Sequence, residues 1–414
     1  MIQMRLLSSL CTTTLCAGLL VGCGSSEESP SDSANNATSP VQNSATAEVK
    51  TAANVLPTAS INSPETKEPV EESAEGMIKQ ISAVLRQPLV GGKGTSDPKQ
   101  IPQLMKERNK SIVGLASKGV LLAHQNKDSE EVMHQLVQRL SEARLQLALQ
   151  GDQDEAESLY SDADFLREQR PGSKAAMEAS YAVVRFANTN AMLHSQKSSE
   201  NNTEWITEFA RLARTFCQAF PQEEAKTLPL LLAAGKSCER YNLAEEAKLC
   251  YAQILDQYPE TAQGEQAKGV LRRLSLPGQS LKFGGSTYHG EFFKIEQNRG
   301  KVTAIVYWSS NIGGIGETLT KIDAVAKKYD PSQLEVVGVS LDQEELPMEV
   351  VVGDSGITWK QLLDPDPTKR SWQHPVVKYY GVLNVPSIWL VDQNGVVVST
   401  NTSLDNLEAD LSKL

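Results

Sequence analysis

Six cysteines occur in the chain, at positions 11, 16, 23, 217, 238 and 250, and none from 251 to 414. Thiolates exchange disulfides, so the whole C-terminal third lacks the side chain that this chemistry requires. The five histidines (124, 134, 194, 289 and 374) are scattered, and no Cys/His spacing suits a metal. No metal ligands, cofactor fingerprint or catalytic residue is therefore assigned. Ser309 or Ser310 as a nucleophile needs a nearby base, and only His289 and His374 lie in this part of the chain. Gly313-Gly314-Ile315-Gly316 is a short glycine-rich loop before an apolar helical stripe. It lacks the lysine and hydroxyl of a phosphate loop.

The first residues read as an address. Arg5 supplies a short positive start, and Leu6 to Val21 is an apolar run interrupted by threonines. It ends in Leu20-Val21-Gly22-Cys23, which resembles the lipobox of bacterial lipoproteins. That resemblance implies cleavage after residue 22, lipid on Cys23 and a periplasm-facing envelope location. By the same resemblance, Gly24 in place of Asp implies the outer membrane over the inner. Several acyl chains, at about 0.8 kcal/mol per buried CH₂, would hold such a protein firmly.

Residues 23–75 follow as an acidic tether. From 24 to 75 there is no aromatic residue, and five prolines, nine acidic residues and two lysines leave a balance of −7. Such a segment buries too little apolar surface to fold and is expected to be disordered. A flexible chain of this length spans about 40 Å. The full chain carries −11, with 40 basic and 51 acidic residues, and shows no clustered basic surface. Nucleic acid is therefore excluded as a partner.

Residues 76–275 switch to helical spacing. Val132, Leu136, Leu140, Ala143 and Leu147 form one apolar face, and Asp128 with Glu131 reads as a capping box at its start. Leu228 to Thr261 resembles a tetratricopeptide repeat: Gly235 and Ala247 at the close crossings, Tyr251 as the aromatic wedge, Pro259 at the end. Cys238 and Ile254 depart from that pattern, and a weaker echo occurs at Ala156 and Tyr160. A plain helical bundle is the other reading. Cys217, Cys238 and Cys250 are read as buried structural residues. Being odd in number, they leave at least one thiol unpaired within the chain.

Leu276-Pro277-Gly278 opens the last domain, 276–414. Val302–Trp308 and Leu334–Ser340 read as strands, with a helical stripe of Leu319, Ile322, Val325 and Tyr329 between them. A hairpin is expected near His289-Gly290. A second is expected at Asn394-Gly395, a turn that needs positive φ, between strands Ile388–Asp392 and Val396–Ser399. Leu404, Leu407, Leu411 and Leu414 stripe a final helix.

Tyr307-Trp308, Tyr380-Gly381-Val382, Val385-Pro386-Ser387 and Leu390-Val391-Asp392-Gln393-Asn394-Gly395 resemble the membrane-anchored thiol–disulfide oxidoreductases of the TlpA/ResA (redoxin) type. The resemblance implies a thioredoxin-like α/β fold, a cis proline at 386, and a dithiol loop after Trp308. Aligned without gaps, Ile312-Gly313-Gly314-Ile315 stands where that family has Cys-x-x-Cys, and Ile312 and Ile315 are expected to add apolar surface at the helix start. The expected whole is an envelope lipoprotein with a helical region and a redox-inactive thioredoxin-like domain. It would act as a protein-binding or adaptor module, with the Val385-Pro386 groove taking envelope proteins or extended peptides. One alternative, beside a purely structural envelope spacer, is an oxidoreductase or antioxidant protein of the same family. It would borrow Cys217, Cys238 or Cys250 and need one of them exposed near Ile312.

Overall fold

The computed structural model describes residues 72–89, 98–197 and 203–414. The signal segment, Cys23 and nearly all of the tether lie outside the described residues. The helical region begins slightly earlier than expected, because Ser73 caps a helix by accepting a hydrogen bond from the Gly76 amide at 3.0 Å.

Nine helices make up the first part of the described chain: α1 (Ala74–Arg86), α2 (Ile101–Asn126), α3 (Glu130–Leu149), α4 (Gln153–Gln169), α5 (Lys174–Lys197), α6 (Glu204–Ala219), α7 (Glu224–Arg240), α8 (Ala244–Gln257) and α9 (Ala262–Leu274). Each packs on the next, and α3 also packs on α5. The predicted apolar face of α3 points inward, but its cap is Ser129, which accepts from the Val132 amide at 3.3 Å, rather than Asp128. Serine wins because its side chain is already one residue from the first helical turn.

The repeat-like unit is built as its residues suggest. A side chain on Gly235 would stand 2.8 Å from the Tyr251 ring, so only glycine lets α7 and α8 approach this closely. The Tyr251 hydroxyl donates to Glu239 at 2.8 Å, and Glu239 pairs with Arg273 of α9 at 2.7 Å. Ala247 is buried, and α8 stops one residue before Tyr258-Pro259.

Leu276 already belongs to the core of the second part. Here follow β1 (Gly284–Ser286), β2 (Phe292–Lys294), β3 (Val302–Trp308), α10 (Ile315–Ala326), β4 (Leu334–Ser340), α11 (Glu345–Ser355), β5 (Lys360–Leu362), α12 (Pro375–Tyr380), β6 (Ser387–Val391), β7 (Val397–Thr402) and α13 (Leu407–Leu411). The main sheet runs β5-β4-β3-β6-β7. β3, β4 and β5 are parallel, while β6 and β7 run antiparallel to their neighbours.

Strand alternation divides the core into two layers. Ile305, Tyr307, Val337, Val339 and Trp389 face α12, while Val306, Trp308, Ile388 and Leu390 face α10, α11 and α13. β3 is buried at every residue, which explains its uninterrupted apolar run.

β6 and β7 form the hairpin expected at Asn394-Gly395. Only Gly395 has positive φ (80°), and the Asp392 carboxylate accepts from the amides of Asn394 and Val396 at 2.9 and 2.8 Å. The loop is thus closed by an aspartate side chain, with one left-handed glycine.

The helical and sheet parts are joined along α9 and α12. A side chain on Gly269 would lie 2.7 Å from the Gly381 amide nitrogen. The Arg272 guanidinium lies 3.8 Å from the centre of the Tyr379 ring and also donates to the Tyr379 carbonyl.

Candidate functional site

Strand register assembles the site. Trp308 pairs with Ser340 on one side, and Tyr307 pairs with Ser387 on the other. Three segments therefore meet at one end of the sheet: the loop Ser309–Gly314, the residues Leu341-Asp342 and the dipeptide Val385-Pro386. The Val385-Pro386 peptide bond is cis. A central strand flanked this way, with a cis proline entering the neighbouring antiparallel strand, decides the architecture. The C-terminal domain is thioredoxin-like in fold.

The loop turns twice before α10. The Ile312 amide donates to the Ser309 carbonyl at 3.2 Å, and the Ile315 amide donates to the Ile312 carbonyl at 3.2 Å. Gly314 precedes the helix at φ 74°, a conformation that glycine adopts without a Cβ penalty. Ile315 is 4% exposed and joins the core layer of Leu319 and Met348, with Ile312 partly buried against the same layer. The expected apolar surface is therefore mostly interior. An isoleucine at the first helical residue gains more by packing than by facing water.

The centre of the site is a residue that the sequence reading missed. Asp342 is 5% exposed, yet its carboxylate accepts from Ser309 Oγ at 3.0 Å, Ser310 Oγ at 2.7 Å, the Ser310 amide at 2.9 Å and Ser340 Oγ at 2.8 Å. Its own amide donates to Ser340 Oγ at 3.1 Å. A buried carboxylate is tolerable when its lone pairs are filled, and these are. The network ties the end of β3 to the end of β4. It also occupies the hydroxyls of both Ser309 and Ser310.

No histidine serves those hydroxyls. His374 is buried beside Gly285, and its Nδ1 accepts from the Val376 amide at 3.3 Å. Burial lowers its pKa below the usual imidazole value, against the opposing pull of Asp364. Arg370, also buried, donates to the Asp364 carbonyl at 2.6 Å, the Gln343 carbonyl at 3.3 Å and Glu345 at 2.7 Å. It clamps the loop after β5 onto the segment that follows Asp342.

The cis-proline segment is held from the helical side. Leu383, two residues before Val385, packs against the helical core. The backbone N–H and C=O of Val385 make no hydrogen bond among the described residues.

The three cysteines lie elsewhere. Cys217, Cys238 and Cys250 are free, fully buried and part of the helical core. Burial raises all three thiol pKa values, that of Cys238 to about 12. Arg214 donates to Cys250 Sγ at 3.7 Å without reversing that effect. Among the described residues, no group of three or more His, Cys, Asp or Glu is placed to hold a metal ion. No described helix is long and apolar enough to cross a membrane.

No protein-family model and no curated protein matches the chain. Solved structures resemble its last third. The thioredoxin domain of a thiol-disulfide oxidoreductase from Bacteroides vulgatus is 19% identical, covering 33% of this chain and 96% of that one, at a TM-score of 0.30. A putative thiol:disulfide interchange protein DsbE from Chlorobium tepidum is 19% identical, covering 34% and 96%, at 0.30. A secreted Mycobacterium tuberculosis disulfide oxidoreductase homologous to E. coli DsbE is 17% identical, covering 32% and 96%, at 0.27.

Proposed function

We propose that this chain is an envelope lipoprotein, anchored through Cys23, whose thioredoxin-like domain binds protein instead of exchanging disulfides. The observation that carries this reading is the loop after Trp308. It has isoleucine at 312 and 315, no cysteine follows Cys250, and Ser309 and Ser310 are both bound to Asp342. A dithiol reaction needs a thiolate that leaves and attacks, and this end of the sheet offers none.

The binding element is the strand entry at Val385. An unpaired backbone N–H and C=O beside a cis proline can pair with an extended chain in the manner of an added strand. Ile312 lies on the loop Ser309–Gly314, at the same end of the sheet. The helical array holds the strand entry in place through Leu383 and α9.

The test has two arms, both on soluble protein that begins after Cys23. In the first, the protein is assayed for dithiothreitol-driven insulin reduction, and turnover above the uncatalysed background would defeat the redox-inert reading. In the second, an envelope partner recovered on the wild type is titrated against Ile312→Asp. Undiminished affinity in a variant that keeps its circular dichroism spectrum would rule out the groove as the contact surface.

A further inference from the structure

Helix α11 carries apolar residues all round: Leu346, Met348, Val350, Val351 and Val352. A helix of that composition belongs inside a protein. Here only Met348 is fully buried, while Leu346 is 68% and Val350 is 51% exposed. The two exposed residues are four apart and so share one face. Carboxylates run alongside them. Glu345 and Glu349 form the neighbouring row, and Glu344 and Asp354 stand at the two ends, all four on residues that are themselves exposed. Of these, Glu345 is paired with Arg370.

We infer that this face docks a cationic amphipathic segment of another protein, two apolar side chains flanked by lysine or arginine. Charge selects this occupant over the others. An anionic lipid surface would be repelled by the same carboxylates. A second copy meeting this face about a two-fold axis would set Glu349 against its own like. A basic partner gains on both counts, covering Leu346 and Val350 and neutralising the acidic border. The site is distinct from the strand entry at Val385, and the inference does not rest on that reading.

The probe is a fluorescein-labelled model peptide built only of leucine and lysine at helical spacing, titrated by anisotropy against the soluble chain beginning after Cys23. The double variant Leu346→Ser with Val350→Ser keeps the net charge and alters only exposed positions. It should weaken binding by roughly tenfold or more. Glu349→Lys with Asp354→Lys should do the same. The charge-matched reversal Asp154→Lys with Glu157→Lys, on exposed positions of α4, should leave the affinity near that of the wild type. Circular dichroism confirms that each variant is folded. Equal binding to all four proteins overturns the inference. So does a concentration-dependent dimer abolished by Leu346→Ser, or co-sedimentation with phospholipid vesicles abolished by the same change.

Discussion

Gly269 of α9 and Gly381 at the end of α12 meet backbone to backbone. A Cβ on Gly269 would lie 2.7 Å from the Gly381 nitrogen and 2.8 Å from the Lys378 carbonyl oxygen, and one on Gly381 would lie 2.4 Å from the Val270 nitrogen. Both obstacles are main chain, which cannot swing aside as a flexible side chain does. Gly381 also has φ of 56°.

Substituting either glycine with alanine should therefore separate α9 from α12. A loss of about 1–3 kcal/mol is expected, of the size seen for overpacked sites. Urea unfolding of Gly269→Ala measures it, and a midpoint equal to the wild type would show that the contact is slack. The same crossing predicts that a fragment beginning at 276 is less soluble than one beginning at 73, because Leu383 would lose its partners on the helical core.

Asp342 should be worth more to stability than to any reaction. Asp342→Ala strands three hydroxyls and one amide that now donate to it. The cost should be about 1–3 kcal/mol, as for other buried donors left without acceptors. Denaturant titration tests this, and a stable Asp342→Ala would mean that water replaces the carboxylate.

The thiols should be silent in the native state. With their pKa values raised by burial, Cys217, Cys238 and Cys250 stay protonated near neutral pH, and all three are fully buried. Protein beginning after Cys23 should show almost no reaction with an aromatic disulfide reagent at pH 8 and three equivalents in urea. Rapid native labelling would reopen the borrowed-cysteine alternative.

His374 sets a pH trend. Its folded pKa lies below the ordinary 6.5. Below that value the unfolded chain binds the proton more readily, so stability is full above pH 6.5 and declines as pH falls towards the folded pKa. Stability of the wild type and His374→Gln should diverge less at pH 5.5 than at pH 7.5. A difference unchanged with pH would show that the buried ring does not titrate in this way.

Much of the fold is legible because its signals are local. Val302–Trp308 and Leu334–Ser340 are strands over the predicted residues, since uninterrupted apolar runs mark a sheet covered on both faces. Gly235 and Tyr251 were legible as a pair because sixteen residues of helix–turn–helix bring them together in a known way. Tyr329, expected in the first helix of the sheet domain, lies beyond its end at Ala326.

The centre of the site was not legible. Asp342 matters only because strand register sets it against Ser309 and Ser310, more than thirty residues earlier. Arg370 is equally opaque: its carbonyl partners, on Asp364, Pro365 and Gln343, are main chain and carry no side-chain signature. The inward turn of Ile315 depends on where α10 begins, and propensity places helix ends poorly.

The small hairpin of β1 and β2 has an effect on how copies of the protein meet at high concentration. Thr287 bridges to Leu362, the Leu363 amide donates to the Ser286 carbonyl at 3.1 Å, and the Tyr288 amide donates to the Gln361 carbonyl at 3.2 Å. Those bonds use up the outer row of β5, the strand at one margin of the main sheet. An uncovered margin is a template for cross-chain aggregation and fibril growth. Here that template is taken by the chain's own hairpin, so opening the hairpin would bare β5 as an edge for another strand.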